Sequence, residues 1–270
     1  MVEKLRTIVI SDFLLNISEL WKRLRVRKVG IIGCGAIGTV IAKAVERRTV
    51  ECDELLIYDY NMEKAEKLQK SLHFPVTVVK SLEELIELKP LVIVEAASQQ
   101  AVRDYIRKIL AEDIELIVMS VGALLDLDVK SRKIHIPSGA IGGLDAISSA
   151  VLAGVDEVVL TSRKNPAALQ MDNREEKIVY EGTAEEAVRL FPRGMNVAAT
   201  LALTIQRKKV KVRIISDPRV DRNVHEIKIK WKHGDMLLKF ANDTHPENPK
   251  TSALAAWSAI NLLKESLAKY

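Results

Sequence analysis

From Lys28 onward, short apolar runs alternate with stretches whose apolar residues recur every three or four positions. The runs Val29–Ile32, Leu55–Tyr58, Val76–Val79, Leu91–Val94 and Leu116–Met119 read as buried strands. Between them the spacing predicts helices over Ala36–Arg47, Met62–Leu72 and Gln99–Leu110. Another helix starts at Ser81-Leu82-Glu83-Glu84, which has capping-box spacing. Strands without polar alternation, separated by amphipathic helices, predict a doubly wound parallel sheet.

After Ser138 the pattern changes. A helix over Gly143–Ala153 leads to a strand at Val158–Thr161 and a polar loop around Asn165-Pro166. Lys177–Tyr180 is the next strand, Thr183-Ala184-Glu185-Glu186 opens a helix with a second capping box, and Asn196–Ile205 is helical. Three strands with alternating polarity follow, Val210–Ile215, Val224–Trp231 and Met236–Phe240, and imply a largely antiparallel sheet with one solvated face. A final amphipathic helix is predicted from Pro249 to Lys269, with Pro249 in its first turn. The fold class is therefore α/β, a doubly wound parallel sheet followed by an α+β domain. The expected division is an extension over 1–26 with one amphipathic helix at Ile17–Leu24, a first domain over 27–137, a second over 138–246, and a C-terminal helix over 247–270 able to pack back on the first domain.

Composition narrows the function without choosing it. The chain has 270 residues, 48% hydrophobic and 29% charged, which suits a globular protein with a sizeable core. No apolar run approaches the ~20 residues that span a bilayer, so no membrane role is expected. The N-terminal apolar stretch Ile8-Val9-Ile10 is too short for a signal-peptide core, and two cysteines cannot form a disulfide framework, which points to the cytoplasm. Basic clusters at Lys22–Lys28 and Arg207–Arg213 contribute much of the net charge of +5. With 4% aromatics and Val210, Val212 and Ile214 alternating with the second cluster, they read as solvated surface and not as a nucleic-acid site.

Seven of the twelve glycines fall in two short loops. Gly33-Cys34-Gly35-Ala36-Ile37-Gly38 fits G-x-G-x-x-G between a strand and a helix. Gly33 permits the tight turn, Gly35 admits a pyrophosphate near the backbone of Ala36 and Ile37, and Gly38 allows close helix–strand packing. Asp59 ends the second strand, 21 residues after Gly38, where a carboxylate accepts hydrogen bonds from ribose hydroxyls. The first domain thus reads as a Rossmann dinucleotide-binding domain. Asp59 repels a 2′-phosphate and Tyr60-Asn61 supplies no arginine, so NAD is favoured, with NADP still possible.

The second loop is Pro137-Ser138-Gly139-Ala140-Ile141-Gly142-Gly143-Leu144-Asp145. Together with Glu95-Ala96-Ala97-Ser98-Gln99-Gln100, Asn196-Val197-Ala198-Ala199-Thr200, Asn223-Val224-His225-Glu226-Ile227 and Asn248-Pro249-Lys250-Thr251-Ser252, it resembles the archaeal and bacterial L-aspartate dehydrogenases, in order from about Lys28 to the C-terminal helix. The resemblance implies oxidative deamination of L-aspartate to iminoaspartate, then oxaloacetate and ammonia or supply to quinolinate and NAD synthesis. It also implies a homodimer built on the second domain, His225 as the catalytic histidine, and Ala140 and Asn196 as contacts at the nicotinamide end. Ala97 and Ser98, at the end of the fourth strand, are expected along the nicotinamide ribose. The segment between Gly122 and Ser138 is shorter than the resemblance leads one to expect.

The residues themselves suit this chemistry. Hydride removal from an amino acid needs a neutral amine, so a group titrating near neutrality must take a proton. The candidates are His73, His135, His225, His233 and His245; His135, beside the second glycine loop, rivals His225. Two substrate carboxylates need cations, for which Arg163, Lys164 and Lys250 are the candidates, and Arg163 alone could grip with two prongs. No metal is expected, because the histidines and acids lack ligand spacing. On sequence, a homoserine dehydrogenase or dihydrodipicolinate reductase type of enzyme, or a non-catalytic NAD-sensing protein, remain as alternatives.

Overall fold

A computed structural model describes residues 26–192, 194–206, 209–245 and 248–270, without the side chains of 244–251; the predicted helix Ile17–Leu24 and the basic pair at 207–208 lie outside the described residues. Six parallel strands form the first sheet: β1 (Lys28–Ile32), β2 (Glu54–Tyr58), β3 (Val76–Val78), β4 (Val92–Glu95), β5 (Glu115–Val118) and β6 (Ile134–His135). Their order is β3-β2-β1-β4-β5-β6, so the chain reverses direction across the sheet between β1 and β4. That reversal opens a crevice beyond the carboxyl ends of β1 and β4, where ligands bind in such sheets. The connecting helices are α1 (Ala36–Glu46), α2 (Met62–Lys70), α3 (Leu82–Glu87) and α4 (Gln99–Ala111). Beyond β5 the chain makes only a 3₁₀ turn, Val121–Leu125, before β6.

Helix α5 (Leu144–Ala153) leads into the second sheet, made of β7 (Val155–Lys164), β8 (Lys177–Thr183), β9 (Lys211–Ser216), β10 (Asn223–Trp231) and β11 (Gly234–Asn242). Its order is β11-β10-β7-β9-β8, with three antiparallel pairings and one parallel pairing, β7 with β9. Helices α6 (Ala184–Leu190) and α7 (Asn196–Thr204) lie between β8 and β9. Thr183 and Glu186 make the reciprocal capping box predicted for α6. At Ser81 only half of it forms, because Glu84 takes the Lys80 N–H instead. Among the described residues no helix is long and apolar enough to cross a membrane.

Two differences from the sequence pattern have physical causes. β7 runs ten residues rather than four, because nearly its whole length pairs with β10; Glu157 lies on its solvated side, and Asp156 is exposed where the register shifts opposite Lys230 and Trp231. The last helix, α8 (Ala253–Leu267), starts four residues after Pro249. A residue preceding proline is driven out of the helical region, and here Asn248–Ser252 is extended as β13 against β12 (Thr244–His245).

Helix α8 packs against the first sheet, where Ala259, Ile260, Leu263 and Leu267 join Ile41, Val45, Leu55 and Val94 in one apolar core. Burying each Ile or Leu there contributes roughly 1.5–3 kcal/mol. The core on the other face of that sheet does not stop at its edge. It continues from Val102, Ile106 and Leu116 through Val121 and Leu124 to Ile147, Leu160, Leu201 and Ile214 of the second unit. Within this shared core the 3₁₀ turn after β5 packs on α7 and so joins the two units.

Candidate active site

The first glycine loop is shaped by contacts that exclude side chains. Gly33 has φ +100, and a Cβ there would lie 2.7 Å from the Ala96 carbonyl. A Cβ on Gly38 would collide with the Gly33 carbonyl oxygen, so α1 rests directly on the turn. Gly35 differs: a Cβ there would meet nothing within 4 Å. It stands at the N-terminus of α1, whose first N–H groups lack helical partners and suit an anion. Asp59, just beyond β2, accepts the Cys34 N–H through Oδ2 at 2.7 Å and the Asn61 N–H through Oδ1 at 2.8 Å. A carboxylate has about four acceptor positions, so capacity remains for hydroxyls. Gly33, Gly35, Asp59, Asn61, Ala97 and Ser98 line one groove of about 440 Å³. The fit for a dinucleotide is therefore built into the backbone: a cradle closed to side chains and open at Gly35.

This groove continues past Gly35, Ala97 and Ser98 into a cleft of about 720 Å³ between the two sheets. Ala36, Ile37, Ser120, Ala140, Asn196, Lys164, Asn223 and His225 line it. Strand alternation explains the last three. Along β7, Leu160, Ser162 and Lys164 share the buried face; along β10, Asn223, His225 and Ile227 do so, and His225 stands opposite Ser162. The Ser162 hydroxyl and His225 Nδ1 are 2.9 Å apart. That bond leaves Nε2 as the nitrogen available to a bound molecule.

The electrostatics follow from burial. His225 is 3% exposed, and burial, reinforced by the charge of Lys164, pushes its imidazole down to about 3. The ring is therefore neutral at pH 7, with a lone pair on one nitrogen, and an anion entering the cleft beside Lys164 would raise its affinity for a proton. Burial also lowers Lys164, which makes its ammonium responsive to any carboxylate that enters.

The second glycine loop forms the facing wall. Gly139 and Gly143 both have φ +70, and a Cβ on Gly143 would lie 2.8 Å from Leu238 of β11. The Gly139 N–H donates to Ser258 Oγ at 3.0 Å, and the Ala140 carbonyl accepts from Asn242 Nδ2 at 2.8 Å. The loop is thus anchored to α8 and β11 at once.

The profile described as Aspartate dehydrogenase, C-terminal matches residues 145–266, and that described as Homoserine dehydrogenase, NAD binding domain matches residues 33–135. An L-aspartate dehydrogenase of Methanosarcina mazei is 41% identical over 263 residues, covering 89% of this chain and 97% of the relative. The chain belongs to the L-aspartate dehydrogenase family. A second relative of that name, from Methanothermobacter thermautotrophicus, is 40% identical over 87% of this chain and 94% of its own. The crystal structure of aspartate dehydrogenase from Thermotoga maritima superposes with a TM-score of 0.73 at 30% identity, covering 88% of this chain and 96% of that one.

Within this member of the L-aspartate dehydrogenase family, the cleft gathers most of the residues singled out from the sequence. Among the described side chains, His225 is the histidine that lines it. His135, the rival, lies 3.0 Å from the Glu115 carboxylate, and His233 packs edge-on to Trp231. Lys164 reaches the cleft, but Arg163 projects from the opposite face of β7 and pairs with Glu176 at 2.7 Å and Asp217 at 3.3 Å. Lys250 stands on β13 with its side chain outside the described residues. Asn196 is the first residue of α7 rather than its cap, a place Met195 takes; its Oδ1 accepts the Gly122 N–H at 3.4 Å. Sequence reasoning did not single out Ser162, Ser120 or Asn223. The two-residue spacing of Ser162 to Lys164 and of Asn223 to His225 was the available signal for the first and last.

Proposed function

We propose that this chain is an NAD-dependent L-aspartate dehydrogenase, oxidising L-aspartate to iminoaspartate, which water converts to oxaloacetate and ammonia. The observation that carries this reading is the burial of neutral His225 beside Lys164 on the wall of a cleft entered from the dinucleotide groove. The family's profile and relatives support it.

NAD, when bound, supplies the hydride acceptor. Asp59 receives the adenosine ribose hydroxyls, and its charge disfavours a 2′-phosphate, so NAD is preferred over NADP. The N-terminus of α1 at Gly35, Ala36 and Ile37 faces the pyrophosphate. Ala97, Ser98, the Ala140 backbone and Asn196 orient the nicotinamide half. Lys164 pairs with a substrate carboxylate. His225 removes the ammonium proton, and Ser162 accepts the Nδ1 hydrogen and fixes the tautomer that leaves Nε2 as base. Once that proton has passed to solvent, the same histidine is again neutral and takes a proton from the water that attacks the imine carbon. Iminoaspartate that leaves before hydrolysis would feed quinolinate and thus pyridine nucleotide synthesis. We further infer a homodimer built on the second sheet, working in the cytoplasm, where the free buried cysteines Cys34 and Cys52 stay reduced.

The test is NADH formation with L-aspartate, with L-homoserine and with neither, alongside NAD binding. Turnover of aspartate is expected. Turnover of homoserine alone would replace this reading, and binding without turnover would make the protein a sensor.

A further inference from the structure

Glu95 is a buried acid to which the chemistry above gives no part. It is the last residue of β4 and 2% exposed, and among the described residues no cation lies within ion-pair distance of it. An unpaired carboxylate is costly to bury unless donors surround it. Here Oε1 accepts from the Ala97 N–H at 2.8 Å, the Ser98 N–H at 2.9 Å and the Ser120 hydroxyl at 2.9 Å. Oε2 accepts from the Ser120 N–H at 3.0 Å. Burial pushes the Glu95 carboxyl up, and the Ser120, Ala97 and Ser98 donors oppose that push; three backbone N–H groups and one hydroxyl are gathered on a single side chain. The N-terminus of α4, capped by Ser98, adds favourable dipole charge.

These donors belong to two loops. Ala97 and Ser98 follow β4, Ser120 follows β5, and the strands are neighbours with Glu95 paired to Val118. Glu95 is the staple between the loops, and both loops line the cleft. At the adenosine end Ala97 and Ser98 also line the groove, but Asp59 is fixed there by its own bonds to Cys34 and Asn61, and Ser120 lines only the cleft.

We propose that Glu95 is a positioning residue for the nicotinamide half of the cofactor, setting the Ala97–Ser98 and Ser120 backbones against which that half is oriented. This rests on the reading of the cleft as a dinucleotide site, but needs no assumption about the amino acid oxidised. Glu95→Gln keeps the size of the side chain and places an amide donor among donors.

The experiment measures NAD and ADP dissociation constants and melting temperature for the full chain, wild type and variants. Glu95→Gln is expected to bind NAD about tenfold more weakly, the scale of one lost hydrogen bond, with ADP affinity within about twofold of wild type. Equal losses for both ligands, or a lowered melting temperature with unchanged affinities, would overturn the proposal in favour of a purely structural role. If Glu95→Gln does not fold, Ser120→Ala removes one donor of the four. It is then expected to weaken NAD about threefold and leave ADP unchanged; wild-type affinity for NAD would overturn the proposal. Failure of wild-type turnover on aspartate with dinucleotide binding intact would instead strike the proposed activity.

Discussion

At the scale of single residues, His225 and Lys164 are each costly to bury in charged form, and their shared cleft gives that cost a use. His225→Ala is expected to lower kcat by roughly a hundredfold or more, the usual range for a lost acid–base group. Ser162→Ala leaves the imidazole without its Nδ1 partner and should reduce kcat by less, with KM for aspartate little changed. Lys164→Met should instead raise KM for aspartate about tenfold or more, if its charge pairs with a substrate carboxylate as proposed. Steady-state kinetics on the three variants separates these roles. The buried histidine also makes stability depend on pH. Its folded value of about 3 lies below the ordinary 6.5, so the unfolded chain binds the proton more readily between these values. Stability from this group is complete above about 6.5 and is lost as pH falls toward 3, at up to roughly 1.4 kcal/mol per pH unit. Denaturant melts of wild type and His225→Gln should converge over that window. A constant difference between them would show that the ring is not buried neutral.

At the scale of elements, the glycine loop divides into positions that serve the fold and one that serves the ligand. Gly33 and Gly38 abut backbone, so alanine at either should lower the melting temperature through clash or left-handed strain. Gly35 opens on empty space and has an ordinary extended backbone. Gly35→Ala should therefore keep the wild-type melting temperature while weakening NAD binding. Thermal melts with and without NAD would test the contrast. Local elements were largely legible in the sequence, because G-x-G-x-x-G, Asp59 and the capping box at Thr183 act within one turn or one strand–helix unit. The start of α8 was not. Its helical periodicity continues back through Pro249, yet pairing of β13 with β12, a tertiary contact, keeps Asn248–Ser252 extended.

At the scale of the whole molecule, the closing helix belongs physically to the first sheet. Its end is tied by Lys269 and Tyr270 to the Glu115 carboxylate, each at 3.2 Å, while Leu263 is fully buried. Leu263→Ala should cost about 2–5 kcal/mol and lower the melting temperature, as a large-to-small change in a packed core does. Since Ser258 on the same helix holds Gly139, loosening α8 should also weaken the facing wall of the cleft and raise KM for NAD.

The sequence by itself determined the dinucleotide loop, the acid at Asp59, the order of two sheets and the family, because these depend on neighbours in the chain. Which of two adjacent cations serves the cleft was decided only by tertiary structure: Arg163 and Lys164 differ by one step along β7, and one step turns a side chain to the opposite face. The partnership of His225 with Ser162, 63 residues away, came from the register of β10 on β7. Glu95 acquired its four donors in the same way, from two loops that meet only when β4 and β5 lie side by side. Burial, which sets the charge of all these groups, is a property of the assembled core and is written in no single segment.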